Sequence, residues 1–151
     1  MGICTESVSL MNKSAEDYIK TIYLLKERLG CVRSVDVAKE MSFSKASVSV
    51  AMSNLRKKNI IKMKKNGEIE LTPEGIKAAR EICEKHSILS DFLRTVAKVD
   101  EKTAKEDARW IGHYLSPSTY AGIKRYIIEL KSKEEVYHDR LERNRNVQKS
   151  I

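Results

Sequence analysis

Seven basic side chains fall in one acid-free stretch of the sequence, between Met41 and Gly67. They are Lys45, Arg56, Lys57, Lys58, Lys62, Lys64 and Lys65. Cations grouped in this way meet several phosphates at once, and each contact adds to a salt-dependent affinity for nucleic acid. The chain as a whole has 29 Lys and Arg against 21 Asp and Glu. That overall excess is shared by several classes of protein with anionic partners, so the local stretch is the sharper sign of a nucleic-acid partner.

The first part of this stretch predicts a helix, capped by Ser44, that presents small side chains to a partner. Its apolar stripe is formed by Val48, Ala51, Met52 and Leu55, which are expected to pack inward. Small and hydroxyl-bearing residues on the opposite face let a helix approach base edges in the major groove. Ser47, Ser49 and Val50 are the candidates for base contact. The full set of predicted DNA-binding residues is Ser34, Ser44, Lys45, Ala46, Ser47, Ser49, Val50, Asn54, Lys57, Lys64 and Lys65.

The elements around this helix have the order of a winged helix-turn-helix. An amphipathic run begins after Ser14, and Ser34 is expected to cap a short second helix. After the third helix, two strand-like runs flank Asn66-Gly67, which is the strongest short signal for a hairpin with a two-residue type I′ turn. Residues 44–66 are therefore predicted to form a DNA-reading head.

The remaining sequence predicts a second, all-helical region. Thr72-Pro73 opens a helix to about residue 96, Asp100 caps another to about residue 115, and Ser116-Pro117 opens a third. The tail from Ser132 is charged, and either continues as an exposed helix or frays. The expected fold is mainly α with a small β-hairpin wing. The expected segments are an N-terminal extension 1–13, a DNA-binding domain 14–72, a helical domain 73–131 and a tail 132–151.

Composition limits the compartment and the other classes of function. Cys4, Cys31 and Cys83 are odd in number and widely spaced, which does not predict a disulfide framework and suits the reducing cytoplasm. No apolar run approaches the ~20 residues that a membrane helix needs, and the N-terminus lacks the layout of a signal peptide. The sequence predicts a cytoplasmic protein without a membrane partner.

An ordered series of motifs resembles the diphtheria-toxin-repressor family of metal-dependent transcriptional regulators. The motifs are Ser14-Ala15-Glu16-Asp17-Tyr18-Ile19, Ile22-Tyr23-Leu24-Leu25, Ser47-Val48-Ser49 with Leu55, Leu71-Thr72-Pro73-Glu74-Gly75, His86 to Leu93, and His113-Tyr114-Leu115-Ser116. The sequence is expected to lack the SH3-like domain of longer members, which makes it more similar to the short, manganese-responsive branch. The resemblance implies a homodimeric repressor that binds double-stranded DNA at palindromic operators. It further implies a helical dimerisation domain and an effector metal where the two domains meet.

The metal ligands that the resemblance implies are only half retained. Asp17, His86 and His113 stand at ligand positions, whereas Lys20, Arg109 and Gly112 replace the remaining carboxylates. In the family's other branch, which uses different positions, the match fails at Ser90 and Lys105. Mn²⁺ and Fe²⁺ prefer several hard oxygen ligands and a negative site, so two added cations oppose such an ion.

Three interpretations of the effector site follow. The site binds metal conventionally through the reduced Asp/His set, or it is remodelled for one divalent ion (Mn, Fe or Zn), to which Cys83 adds a thiolate. In the third interpretation no metal acts. Arg109 or Lys20 then pairs with Asp17 or a nearby carboxylate in place of the metal, or the cationic pocket binds an anionic metabolite.

The sequence also suggests two rival functions, and it leaves the role of one apolar group undecided. Cys83, His86, Asp91 and His113 are an imaginable catalytic set, but no catalytic motif accompanies them, and we predict no enzyme. A non-specific DNA-architectural protein is the second rival. An apolar group is either the dimer interface or part of the core of the helical region: Trp110, Ile111, Tyr114 and Leu115, with Leu89 and Phe92.

Overall fold

The computed structural model describes residues 13–149, and the side chains of residues 14–142. The helices are α1 (Lys13–Leu29), α2 (Ser34–Met41), α3 (Lys45–Lys57), α4 (Pro73–Phe92), α5 (Glu101–Gly112) and α6 (Pro117–Lys149), and the strands are β1 (Ile61–Met63) and β2 (Ile69–Leu71). The predicted class, mainly α with a β-hairpin wing, is confirmed. The chain divides between Glu84 and Lys85 into two compact units. Residues 1–12 of the predicted extension, Cys4 among them, lie outside the described residues.

The core of the first unit joins all of its elements. Its members are Tyr18, Ile19, Ile22, Leu25, Val32, Val37, Ala38, Val48, Met52, Leu55, Ile60, Ile61, Ile69, Ala78, Ala79 and Ile82. The predicted inward stripe of α3 is confirmed for Val48, Met52 and Leu55, which are at most 2% exposed, while its fourth member, Ala51, is half-buried against this core. The last three members belong to α4, so this helix completes the core of the DNA-binding unit before it enters the second unit. The predicted boundary after residue 72 stays a prediction.

Local capping begins two of the helices as the sequence predicts. The hydroxyl of Ser44 accepts a hydrogen bond from the Ser47 amide at 3.1 Å and caps α3. The carboxylate of Asp100 accepts from the amides of Lys102 and Thr103 at 2.9 and 3.1 Å and caps α5. Both side chains satisfy amides that have no partner within the helix.

The prediction that Ser34 caps α2 is wrong. Arg33, with an extended backbone (φ −123°), occupies the cap position, and Ser34 is the first helical residue. Asp36 acts instead, because its carboxylate accepts from the Arg33 amide at 2.8 Å. Ser14 likewise lies inside α1, which begins one residue earlier.

The wing is an antiparallel hairpin in which Ile61 lies opposite Leu71 and Met63 opposite Ile69. The predicted two-residue type I′ turn is wrong, since of the Asn66-Gly67 pair only Gly67 has a positive φ, of +81°. The Lys64 carbonyl accepts from the Gly67 amide and the Lys64 amide donates to the Glu68 carbonyl, both at 2.9 Å. These bonds enclose a three-residue loop with glycine in the left-handed position. The Asn66 side chain accepts from the Glu68 amide at 3.0 Å, which stabilises this longer turn.

Thr72 fastens the end of the wing to the start of α4. Its hydroxyl donates to the carbonyl of Asn59 at 2.7 Å, and accepts from the amide of Gly75 at 3.0 Å. At Gly75 a Cβ atom would lie 2.1 Å from the Ile60 carbonyl oxygen. Only glycine permits this approach, so the junction is closely packed.

The second unit is built from the end of α4, α5 and α6. A π-helical turn, Leu93–Ala97, follows α4, and Lys98 ends it with a φ of +57°. Ala104, Ala108 and Ile127 are at most 1% exposed and form the buried side. The tail from residue 132 continues as helix to Lys149, and the side chains of residues 131–142 are all exposed. None of the described helices has an apolar stretch that would cross a membrane.

Candidate nucleic-acid interface

The outer face of α3 is open to a partner. Its exposed residues include Lys45, Ala46, Ser47, Ser49, Val50, Asn54 and Lys57. Val50 is 63% exposed although it is apolar. Ser47 accepts a hydrogen bond from the Ser44 hydroxyl at 2.9 Å, and its own hydroxyl proton stays available to an acceptor. The face combines a methyl-bearing residue with hydroxyl groups, which suits contact with base edges.

A groove of about 590 Å³ runs along one side of this face. Ala15 and Tyr18 of α1 line it opposite Val50, Ala51 and Leu55 of α3. Burial raises the pKa of the Tyr18 phenol. Ser47 and Val50, two of the residues predicted to contact base edges, also line this groove.

Six of the seven basic residues predicted to meet phosphates are exposed and make no ion pair within the described residues. They are Lys45, Arg56, Lys57, Lys58, Lys62 and Lys65. Their charge is therefore available to an anionic partner. Ser34 is half-buried in the first turn of α2, and its contact with DNA stays a prediction.

Lys64 differs from the other wing cations because the wing supplies its counter-charge. Its Nζ lies 3.1 Å from a Glu68 oxygen and 2.8 Å from a Glu70 oxygen. Glu68 also pairs with Lys26 of α1 at 2.9 Å. The hydrogen bonds from Lys26 and Lys64 lower the pKa of the Glu68 carboxyl to about 2. Lys65 is therefore the wing cation best placed for a phosphate, and Glu68 holds the wing against α1.

The predicted effector residues of the first unit lie on α1. Asp17 and Lys20 are both half-buried there, and their spacing puts them on one helical face. Burial raises the pKa of the Cys83 thiol, against an opposing effect of the nearby Lys20 charge. Cys83 itself is a half-buried free cysteine.

The predicted effector residues of the second unit surround one contact between α4 and α5. His86 is 6% exposed, and its ring meets the His113 ring edge to face, with centroids 6.2 Å apart. A Cβ atom on Gly112 would lie 3.3 Å from a Leu89 methyl and 3.6 Å from the His86 ring. Arg109 lies over the ring of Trp110 at 5.1 Å. A side chain at this position, where the resemblance implies a carboxylate, would therefore require the Leu89 methyl to shift by a few tenths of an ångström.

The inventory of donor groups does not fit a manganese or iron site of the family type. One carboxylate and two imidazoles remain of the implied ligand set, whereas these ions prefer several hard oxygen ligands. Within residues 14–142, no three or more His, Cys, Asp or Glu side chains form a group that would hold a metal ion. Asp91 of the imagined catalytic set forms an ion pair with Lys131.

The apolar group left open by the sequence separates into two. Leu89 is buried, at 2% exposed, while Trp110 and Tyr114 are 53% and 77% exposed. Ile111, Leu115 and Phe92 are half-buried. Leu89 is therefore a core residue, as one of the two interpretations expects. Trp110 and Tyr114 of α5 are instead exposed on the surface.

Three helices, the third exposed along its outer face, followed by a two-stranded wing define a winged helix-turn-helix DNA-binding domain. The family model of the iron-dependent repressor N-terminal DNA-binding domain matches residues 10–69. The iron-dependent repressor metal-binding and dimerisation domain matches residues 72–136. The HTH-type transcriptional regulator MntR of Geobacillus thermodenitrificans is 32% identical over 136 residues, 90% of this chain and 93% of that protein. The chain belongs to this iron-dependent repressor family, the diphtheria-toxin-repressor family indicated by its motifs.

Further relatives agree with this assignment. An uncharacterised HTH-type transcriptional regulator of Methanocaldococcus jannaschii is 31% identical over 124 residues, 82% of this chain and 99% of that protein. The solved manganese regulator SloR superposes with a TM-score of 0.68 at 26% identity, over 78% of this chain and 54% of that one. The chain thus spans about half the length of this solved protein. The family is one of metal-dependent, DNA-binding regulators.

Proposed function

We propose that the chain is a site-specific transcriptional repressor that binds palindromic operators in double-stranded DNA as a homodimer in the cytoplasm. The supporting observation is the exposed small-residue face of α3, which lies in an acid-free stretch with six uncompensated cations. In this proposal Ser47, Ser49 and Val50 contact base edges, while Lys57 and Lys65 contact phosphates. A two-fold dimer presents two such helices, so the half-sites lie about one or two turns of DNA apart.

Selection of binding sites from a random-sequence DNA pool tests this function. The purified full chain is used for the selection, and the selected duplex is then titrated by fluorescence anisotropy with and without bulk competitor DNA. We expect the selected duplex to stay bound at a competitor excess that removes random duplexes. If the selected and the random duplexes are displaced at the same competitor concentration, the chain is a non-specific architectural protein and the proposal is contradicted.

Single substitutions separate base contacts from phosphate contacts. Lys57→Ala is expected to weaken selected and random duplexes alike, and to lower the slope of log affinity against log salt by about 1. Lys102→Ala removes an exposed cation of α5 and serves as the matched control, with no change expected. Val50→Ala is expected to relax preference at one base position and to leave the salt slope unchanged. Equal effects of the two lysine substitutions would contradict the assignment of α3.

For the effector, we propose that DNA binding does not depend on manganese or iron. The depleted donor set, the close packing at Gly112 and the cationic residues Lys20 and Arg109 support this proposal. Operator affinity is measured in EDTA and with Mn²⁺, Fe²⁺ or Zn²⁺ added separately. Equal affinity throughout is expected. Abolition by EDTA with rescue by one ion would instead establish the remodelled single-metal site, and Lys20→Glu with Arg109→Glu tests whether restored carboxylates create a manganese response.

A further inference from the structure

An apolar stripe continues along α6 beyond the packed part of the second unit. Tyr126, Leu130, Tyr137 and Leu141 recur at spacings of four, seven and four residues, which puts them on one helical face. Tyr126, Tyr137 and Leu141 are 48%, 64% and 38% exposed. At its beginning the stripe is anchored in the unit, where the rings of Tyr126 and Phe92 meet edge to face with centroids 6.3 Å apart.

Beyond Lys131, no other element in the described part of the chain buries this stripe. Residues 131–142 are all exposed, although they hold a regular helix. A hollow of about 380 Å³ lies beside Val136 and Tyr137. Val136 is itself 62% exposed. Apolar side chains at helical spacing on an exposed helix mark an interaction surface.

The charge of this segment favours a copy of the same chain over DNA as the partner. From Arg125 to Glu142 there are four Lys and Arg and five Asp and Glu, in a chain of net charge +8. A nearly neutral surface does not attract phosphates, but it pairs with itself without like-charge repulsion. The family's dimerisation domain also matches to residue 136, in the middle of the stripe.

The area of the stripe indicates how much it would contribute to a dimer interface. Sixteen helical residues span about 24 Å, and a helix offers a contact strip about 10 Å wide. The strip of on the order of 250 Å² is well below the roughly 800 Å² per partner of a stable interface. The stripe therefore extends a dimer interface and does not form one alone.

We propose that the stripe of Tyr126, Leu130, Tyr137 and Leu141 on α6 packs against the second copy of the chain and extends the dimer interface towards the C-terminus. This inference rests on the homodimer of the proposed function. Because each side chain occurs twice at a two-fold interface, its truncation acts twice. Tyr137→Ala is thus expected to raise the dimer dissociation constant by roughly tenfold to a hundredfold.

Sedimentation equilibrium of the full chain tests the stripe. Leu141→Ala and Ile128→Ala form a matched pair, since both are exposed aliphatic residues of α6 but Ile128 lies on the opposite face, at 49% exposed. Leu141→Ala is expected to weaken the dimer several-fold and Ile128→Ala to leave it within twofold of the unsubstituted chain. Far-UV circular dichroism confirms that helix content is equal among the variants.

The outcomes separate the stripe from the proposed function. If the unsubstituted chain is a dimer and neither Tyr137→Ala nor Leu141→Ala weakens it, the inference is wrong while the repressor proposal stands. If the two variants weaken the dimer but the chain selects no operator, the stripe is supported and the repressor proposal fails. A chain that is monomeric at every concentration overturns the inference together with the homodimer.

Discussion

Replacing Thr72 by valine removes one buried hydroxyl at the junction of the wing and α4 while keeping the shape of the side chain. Thr72 is 2% exposed. Its hydroxyl donates to the Asn59 carbonyl and accepts from the Gly75 amide. Valine leaves the buried Gly75 amide and the part-buried Asn59 carbonyl without this partner.

The loss of stability follows from the two bonds. A helix cap contributes about 1 kcal/mol, and a buried polar group left without a partner costs about 1–3 kcal/mol more, so Thr72→Val is expected to lower the free energy of unfolding by about 3 kcal/mol. Thr72→Ser keeps the hydroxyl and loses only a methyl group, at about 1 kcal/mol. The difference of about 2 kcal/mol between the two variants belongs to the hydroxyl.

Urea unfolding at one fixed protomer concentration measures this difference. With a slope of about 2 kcal/mol per M, the valine variant is expected to unfold at a urea concentration about 1.5 M lower, and the serine variant about 0.5 M lower. The single tryptophan, Trp110, lies in the second unit, so its fluorescence reports that unit while circular dichroism reports both. Valine and serine variants of equal stability would refute the role of the hydroxyl.

Three further predictions concern the wing and its junction. Because the folded-state pKa of Glu68 is about 2 against an ordinary 4.5, its carboxylate stabilises the fold above pH 4.5. The stability difference between the unsubstituted chain and Glu68→Gln should shrink as the pH falls from 4.5 to 2 in urea titrations, and a constant difference would contradict the pairing. Gly75→Ala puts a Cβ atom 2.1 Å from the Ile60 carbonyl oxygen and is expected to cost about 1–3 kcal/mol in unfolding free energy, as overpacking does. Lys65→Ala should lower the salt slope of DNA binding more than Lys64→Ala, since Lys64 is already neutralised, and anisotropy titrations showing the reverse order would overturn that ranking.

Features set by neighbouring residues were predictable from the sequence. The cap at Ser44 and the cap at Asp100 depend on a side chain and amides two or three residues away, and the inward stripe of α3 follows from helical period. The type of the wing turn was not predictable from Asn66-Gly67, because the Asn66 side chain stabilises a longer loop. The cap of α2 was missed because Arg33 occupies the cap position, and the Asp36 carboxylate accepts from the Arg33 amide three residues earlier.

Features that depend on contacts between residues far apart in the sequence could not be predicted from local sequence patterns. Lys64 counts as a DNA cation by sequence, but the strand register brings Glu70 to it and the position of α1 brings Lys26 to Glu68. No local pattern marks Gly75 as a close contact of Ile60. For the effector residues the sequence identified the lost carboxylates, and the structure adds that a Cβ atom at Gly112 would lie 3.3 Å from a Leu89 methyl.

The shared use of α4 has a consequence for exchanging parts between relatives. Ala78, Ala79 and Ile82 of this helix complete the core of the DNA-binding unit, although they follow the wing in sequence. In a chimaera joined directly after residue 72, the core of the DNA-binding unit would contain three side chains that come from the other relative. Recombination at residues 84 and 85 would keep each core with its own sequence, and the junction would lie inside a continuous helix. A new effector domain is therefore best grafted in the middle of α4, in helical register.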